Sequence, residues 1–170
     1  MRKILSILIC VSMLSFMFTA CDKYSEKGKD TSSSTVAVEK NFSTDELTEA
    51  VKSAGEWPKM VKIEDNEMAQ EFFKLDLENE NYVEISISQC PMSASLAEII
   101  IINPAEGKLD TAKEDLKTRK AKLTKSDVFY PDHQNIADES IIGDAGGYVY
   151  LIVGLSSVDG EKALKEKLNG

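Results

Sequence analysis

YVEISISQ, residues 82–89, sets Val83, Ile85 and Ile87 against Glu84, Ser86 and Ser88 in strict alternation. That is the period of a β-strand, whose successive side chains point to opposite faces, and it predicts one dry face and one wet face. AEIIIIN at 97–103 follows it with no alternation and reads as a more deeply buried partner strand, ended by Asn103 and Pro104. Two consecutive strands with a short connection favour antiparallel pairing, and the rest of the chain is read outward from this pair.

Towards the C-terminus, Asp110 or Thr111 is placed to cap a long helix with Ala112, Leu116 and Leu123 on its inner stripe. NIADESIIG (135–143) and YVYLIVGL (148–155) read as two more strands, joined by the DAGG turn at 144–147, whose glycines permit positive φ. Asp159 caps a terminal helix carrying Ala163, Leu164 and Leu168. Towards the N-terminus, Ser43 and Glu46 form a capping box, with Phe42 and Leu47 as its hydrophobic staple. Leu47, Ala50, Val51 and Ala54 keep helical spacing, and Gly55 stops the helix. After the WPKM break at 57–60, Asp65 caps a short second helix with Met68, Phe72 and Phe73. The expected fold is a two-layer α+β domain over 42–170. An antiparallel sheet of about four strands carries helices on one face, in the order α-α-β-β-α-β-β-α.

The first 41 residues carry a different message. Arg2 and Lys3 precede an uncharged run from Ile4 to Phe18, then Thr19, Ala20 and Cys21. The run is shorter than the roughly 20 apolar residues that span a bilayer, and its three-part order is that of a secretory signal peptide, residues 1–20. A small pair followed at once by cysteine resembles a bacterial lipobox, with Phe18 where leucine is usual. The resemblance implies cleavage before Cys21 and a lipid on its sulfur. Residues 21–41 then read as a lipidated, disordered tether: DKYSEKGKDTSSSTVAVEKN offers too little apolar surface to fold. A flexible coil of that length reaches about 25 Å.

The net charge is −9, and loss of Arg2 and Lys3 with the signal makes the remainder more acidic still. A nucleic-acid partner is excluded by that sign. Of the three cysteines, Cys10 lies in the signal and Cys21 takes the lipid, so Cys90 has no partner for an internal disulfide. Stability must come from the core.

The chain offers few groups for chemistry. Cys90 and Met92 with the single histidine, His133, suit a soft metal by ligand type, but their spacing does not. A strand-to-strand loop with a half-buried cysteine and a core methionine, plus a surface histidine beside Asp132, explains them better. Asp76, Glu78, Glu80 and Glu84 lack the glycine and ligand order of a calcium loop, so they read as solvated carboxylates. DAGG joins two strands, whereas phosphate loops open onto a helix. The stretch KEDLKTRKAKLTK, 113–125, sets six cations against Glu114 and Asp115. It reads as an exposed helix face braced by Asp115 and Arg119, with contact to an anionic surface or envelope protein as the functional alternative.

YVEISISQCPMSASLAEIIII and ADESIIGDAGGYVYLIVG, with the lysine-rich helix between them, resemble a family of small clostridial lipoproteins. The family is catalogued as a domain of unknown function (number four-three-five-eight). The similarity spans about residues 60–168. It implies a lipobox, a polar linker and one domain, and brings no catalytic residue and no cofactor with it. The function expected is therefore a non-enzymatic binding or interaction module. Its lipid at Cys21 holds it on the extracytoplasmic face of a Gram-positive cell membrane. The alternative is a cell-envelope enzyme whose site assembles around Asp127, Tyr130, Asp132 and His133.

Overall fold

A computed structural model describes residues 42–92, 94–125 and 130–170. The expected signal peptide, Cys21 and the tether lie outside the described residues, as does Asp127. Eleven stretches of regular structure reduce to five helices and five strands. They are α1 (Thr44–Lys52), β1 (Val61–Lys62), α2 (Asn66–Met68, running into a π turn at Ala69–Phe73), β2 (Tyr82–Gln89) and β3 (Glu98–Pro104). α3 (Leu109–Lys125), α4 (Pro131–Asp138), β4 (Ile141–Ala145), β5 (Tyr148–Val153) and α5 (Ser157–Asn169) follow. The strands form one open sheet in the order β1-β2-β3-β5-β4, antiparallel at every junction. The α+β antiparallel fold is thus as expected.

The layering is not. Helices cover both faces of the sheet, so the domain has three layers. Along β3, Ile99 and Ile101 point to one side and Ile100 and Ile102 to the other. Along β5, Tyr148, Tyr150 and Ile152 oppose Val149, Leu151 and Val153. The first set packs with Leu47 and Val51 of α1 and Leu164 of α5. The second packs with Ala112, Leu116 and Leu123 of α3, Ala137 of α4 and Phe73. An unbroken isoleucine run is the pattern of a strand buried twice over, and that accounts for EIIII.

β2 explains why a single covered face was expected. Ser86 and Ser88 are buried under α1, where Thr48 Oγ1 donates to Ser86 Oγ at 3.2 Å and the Thr44 N–H donates to Glu84 at 2.8 Å. The supposed wet face is a polar face paired with a helix end. Val83 is the exception on the apolar side, at 69% exposure. Tyr82 pairs with Pro104 and Glu84 with Asn103, so Val83 is the extra residue of a β-bulge. The bulge turns Tyr82 inward against the α3 side of the core, where its hydroxyl donates to Asp115 at 2.5 Å. Burial first, then that bond, push the hydroxyl's pKa upward.

Two further expectations are corrected. The fifth strand, β1, comes from the stretch after the WPKM break and pairs with the end of β2. NIADESIIG is half helix: Pro131 sits in the first turn of α4, where its missing N–H costs nothing, and the strand begins only at Ile141. His133, expected at the surface, is buried on the inner side of this helix with Ala137, and Ile136 packs against the core. The DAGG turn is as read: Ala145 pairs with Tyr148, and Gly146 and Gly147 have φ of 55° and 87°, a two-residue type I′ hairpin.

One ion pair sits inside this frame. Arg119 of α3 meets Glu98 at the start of β3 through Nε–Oε1 at 2.8 Å and Nη2–Oε2 at 2.6 Å, with side chains only 5% and 2% exposed. Its Nη1 donates to the Phe72 carbonyl at 3.0 Å and its plane lies 4.8 Å from the Phe73 ring centre. The bidentate fork fixes how α3 lies along the sheet. Asp115, expected to brace Arg119 along the helix, serves Tyr82 instead.

Candidate functional site

Where β2 and β5 end and β3 begins, four connecting segments surround a groove of about 810 Å³. Glu56–Pro58 comes from the α1–β1 connection, Ala94–Ala97 from the β2–β3 loop, Tyr130 to Glu139 from α4 and its cap, and Leu155 from the β5–α5 turn. A volume of that size suits a small ligand or a short peptide segment.

Trp57 is the best-fixed side chain in it. Its indole N–H donates to the Ala54 carbonyl at 2.7 Å. The ring lies against two glycines: a Cβ on Gly154 would stand 2.7 Å from Cζ3, and one on Gly160 would stand 3.1 Å from Cζ2. A side chain at Gly154 would displace the indole, and one at Gly160 would crowd it while clashing with Val51 at 2.7 Å. The neighbouring segment is laced to the β5–α5 turn by Ser156, whose hydroxyl donates to the Glu56 carbonyl at 3.0 Å and accepts from the Glu56 N–H at 2.9 Å. Trp57 and Leu155 are therefore carried on one clamped unit, and Leu155 is 89% exposed.

α4 supplies another part of the lining. His133 is buried at 9% exposure, and its Nε2 lies 3.4 Å from the Ala94 carbonyl across in the β2–β3 loop. The Tyr130 ring meets it edge-on, with centres 5.2 Å apart and planes at 73°. Tyr130 itself is 49% exposed. Exposed carboxylates stand around these aromatics at Glu56, Asp132 and Glu139, and no lysine or arginine is among the described lining residues.

The sequence-predicted residues divide cleanly. Tyr130, Asp132 and His133 are brought together at the groove, and Asp127 lies outside the described residues. Cys90 and Met92 do not line it; the Cys90 thiol faces the Met92 carbonyl at 3.9 Å, and Met92, expected in the core, is exposed because it sits in the β2–β3 loop. Among the described residues no group of three or more His, Cys, Asp or Glu side chains converges as a metal site would require. The acidic run is dispersed. Asp76 accepts from the Glu78 N–H and from Asn66, bonds that hold its carboxyl below the usual range, while Glu84 receives the first N–H of α1.

The cations of 113–125 mostly serve the fold. Lys113 pairs with Asp144 at 2.8 Å, Lys117 with Glu114 at 2.5 Å and Arg119 with Glu98. Lys120 donates to the Asp138 and Ser140 carbonyls at 3.1 and 2.6 Å, closing the C-terminal end of α4, and Lys122 donates to Phe72 at 2.5 Å. Sequence reasoning passed over Glu56, Trp57 and Leu155 as site residues. Trp57 had one local signal, a bulky aromatic in the WPKM break, while Leu155 was read as the end of the strand 148–155, which in the structure stops at Val153.

A family model for a domain of unknown function, DUF4358, matches residues 53–154, more than half of the chain, and the chain belongs to that family. The match runs from just before Trp57 to Gly154, and so takes in every groove residue except Leu155. No curated protein and no solved structure matches the chain.

Proposed function

We propose that this DUF4358 protein is a non-enzymatic binding module, held by a lipid on Cys21 at the extracytoplasmic face of the cell membrane, with the groove as its ligand site. The observation that carries the binding reading is the seat of Trp57. An indole locked by a hydrogen bond and two glycines, beside an almost fully exposed leucine, is a contact surface formed before anything arrives. Leu155 and Tyr130 are exposed at the same groove, and large side chains exposed together there are uncommon without a partner.

The anchor reading rests on the order Arg2-Lys3, uncharged run, Thr19-Ala20-Cys21, and on the polar stretch that follows. Among the described residues no helix is long and apolar enough to cross a membrane. Acyl chains contribute about 0.8 kcal/mol per buried methylene, so two or more hold a domain stably. One observation favours the enzyme alternative: Tyr130, Asp132 and His133 do meet at the groove. Against it, His133 is buried and its Nε2 is directed at a backbone carbonyl, where general-base work needs a substrate.

The two parts are tested separately. Cys21→Ser should abolish incorporation of a labelled fatty acid and release the chain from membranes; continued labelling refutes the anchor. A photo-crosslinking residue at Leu155 should give an adduct in intact cells that the same residue at Val83, on the exposed bulge, does not. Equal capture at both positions refutes the groove as the site.

A further inference from the structure

We infer that the groove selects a ligand that presents a cationic nitrogen on a short apolar stem, an alkylammonium group either free or at the end of a peptide side chain. The inference deepens the binding reading and rests on it. Two aromatic rings, Trp57 and Tyr130, line the same groove as three exposed carboxylates, Glu56, Asp132 and Glu139. Aromatic faces carry negative charge density and attract a cation within about 6 Å of the ring centre. The carboxylates add full charges of the same sign, and no described lysine or arginine in the lining offsets them.

The wider field points the same way. The chain carries a net charge of −9, and a concave, partly apolar surface concentrates such a field at its mouth. An anionic ligand would enter against both the local and the global charge and would meet no lysine or arginine among the described lining residues. An apolar stem is required by the remaining lining: Leu96, Ile136 and Leu155 surround the polar groups with aliphatic surface. Charge and shape together therefore specify a compact cation with a hydrocarbon body.

Trp57 also supplies the means of testing this. It is the chain's single tryptophan, so intrinsic fluorescence reports on the groove directly. The full chain in detergent micelles is titrated with N-acetyl-lysine amide, its neutral des-amino analogue N-acetyl-norleucine amide, N-acetyl-glutamate amide, butyltrimethylammonium and the neutral, N,N′-diacetylated form of chitobiose. The lysine amide should shift the Trp57 emission at a concentration about tenfold lower than the norleucine amide does, which is the scale of a partly desolvated cation–π contact. The response should weaken with added salt. It should lose its charge preference in the variant Glu56→Gln, Asp132→Asn, Glu139→Gln, all three positions being exposed and outside the core. An unchanged resting emission in that variant shows that the tryptophan seat is intact.

The arms separate the sources of the cation. A response to butyltrimethylammonium as strong as to the lysine amide supports a free organic cation; a response to the lysine amide alone supports a peptide side chain. Equal responses to the lysine and norleucine amides, or a response confined to the glutamate amide or to chitobiose, overturn the inference while leaving the groove a binding site. If no probe moves the emission, the inference falls, and the photo-crosslink at Leu155 decides whether the binding reading falls with it.

Discussion

Replacing Arg119 by methionine should be the most damaging single charged-to-apolar change on α3, although the helix reads as a solvated basic face. The substitution keeps an unbranched stem against Phe73 and removes the guanidinium. Glu98 then loses both N–H donors, at 2.8 and 2.6 Å, with its side chain only 2% exposed. Breaking a buried pair from one side costs about 3–5 kcal/mol, since a carboxylate is left desolvated and unpaired. The Phe72 carbonyl loses one donor but keeps Lys122 at 2.5 Å, so little is added there. A loss of that size is a large part of an ordinary domain stability of about 5–15 kcal/mol and corresponds to a fall in Tm of about 10–20 °C. The double variant Arg119→Met, Glu98→Leu removes both charges and should recover to within about 1 kcal/mol of the parent, because a buried pair contributes little net stability beyond an apolar replacement. Urea unfolding of the parent, the two single variants and the double variant gives the cycle. A single variant that loses under 1 kcal/mol, or a double variant no better than the worse single, refutes the account.

Gly154→Ala tests the tryptophan seat: at φ 148° and with its Cβ 2.7 Å from the indole, alanine should displace Trp57, red-shift its emission and weaken ligand capture at Leu155. An unchanged emission spectrum would show that the glycine does not hold the ring. Gly143→Ala should lower stability by about 1–3 kcal/mol, because its Cβ would fall within the Tyr150 ring and hydroxyl, and thermal unfolding reads the loss. Burial tends to raise the Glu161 carboxyl, and the bonds from Lys165 and Tyr150 outweigh it, so its pKa is held below the usual value. A depressed carboxylate contributes stability above its unfolded pKa of about 4.3 and loses it as pH falls through the folded value. The Tm difference between the parent and Glu161→Gln should therefore shrink on acidification below about pH 4; a difference independent of pH would assign it to packing alone.

Short-range pattern decided much of this protein before any tertiary contact was considered. The alternation at 82–89, the isoleucine run after it, the Ser43–Glu46 capping box and the two-glycine turn at 146–147 are each set by neighbours a few residues apart, and each stands in the structure where the letters put it. The capping box is complete, with Ser43 accepting from Glu46 and Glu46 accepting from Ser43. Local rules could not say which helices cover which face of the sheet. Ser86 and Ser88 look solvated to any periodic reading, and only the approach of α1, with Thr48 and Thr44 as partners, makes them interior. The same limit applies to α3, whose cations look free until Glu98 of β3 and the carbonyls of Phe72, Asp138 and Ser140 come within reach.

The groove belongs wholly to that second category. Tyr130, Asp132 and His133 were legible as a neighbourhood because they are consecutive or nearly so, while Glu56, Trp57 and Leu155 join them from distant parts of the chain. What brings them together is the return of β5 beside β3 and the packing of α5 against α1, with Gly154 and Gly160 leaving room for one indole. The proposed leader, lipid-bearing cysteine and linker rest on consecutive residues alone, Arg2 to Asn41, and need no distance through space to be read. A binding surface depends on distances through space, and those exist only once the sheet has closed its order and both of its faces are covered.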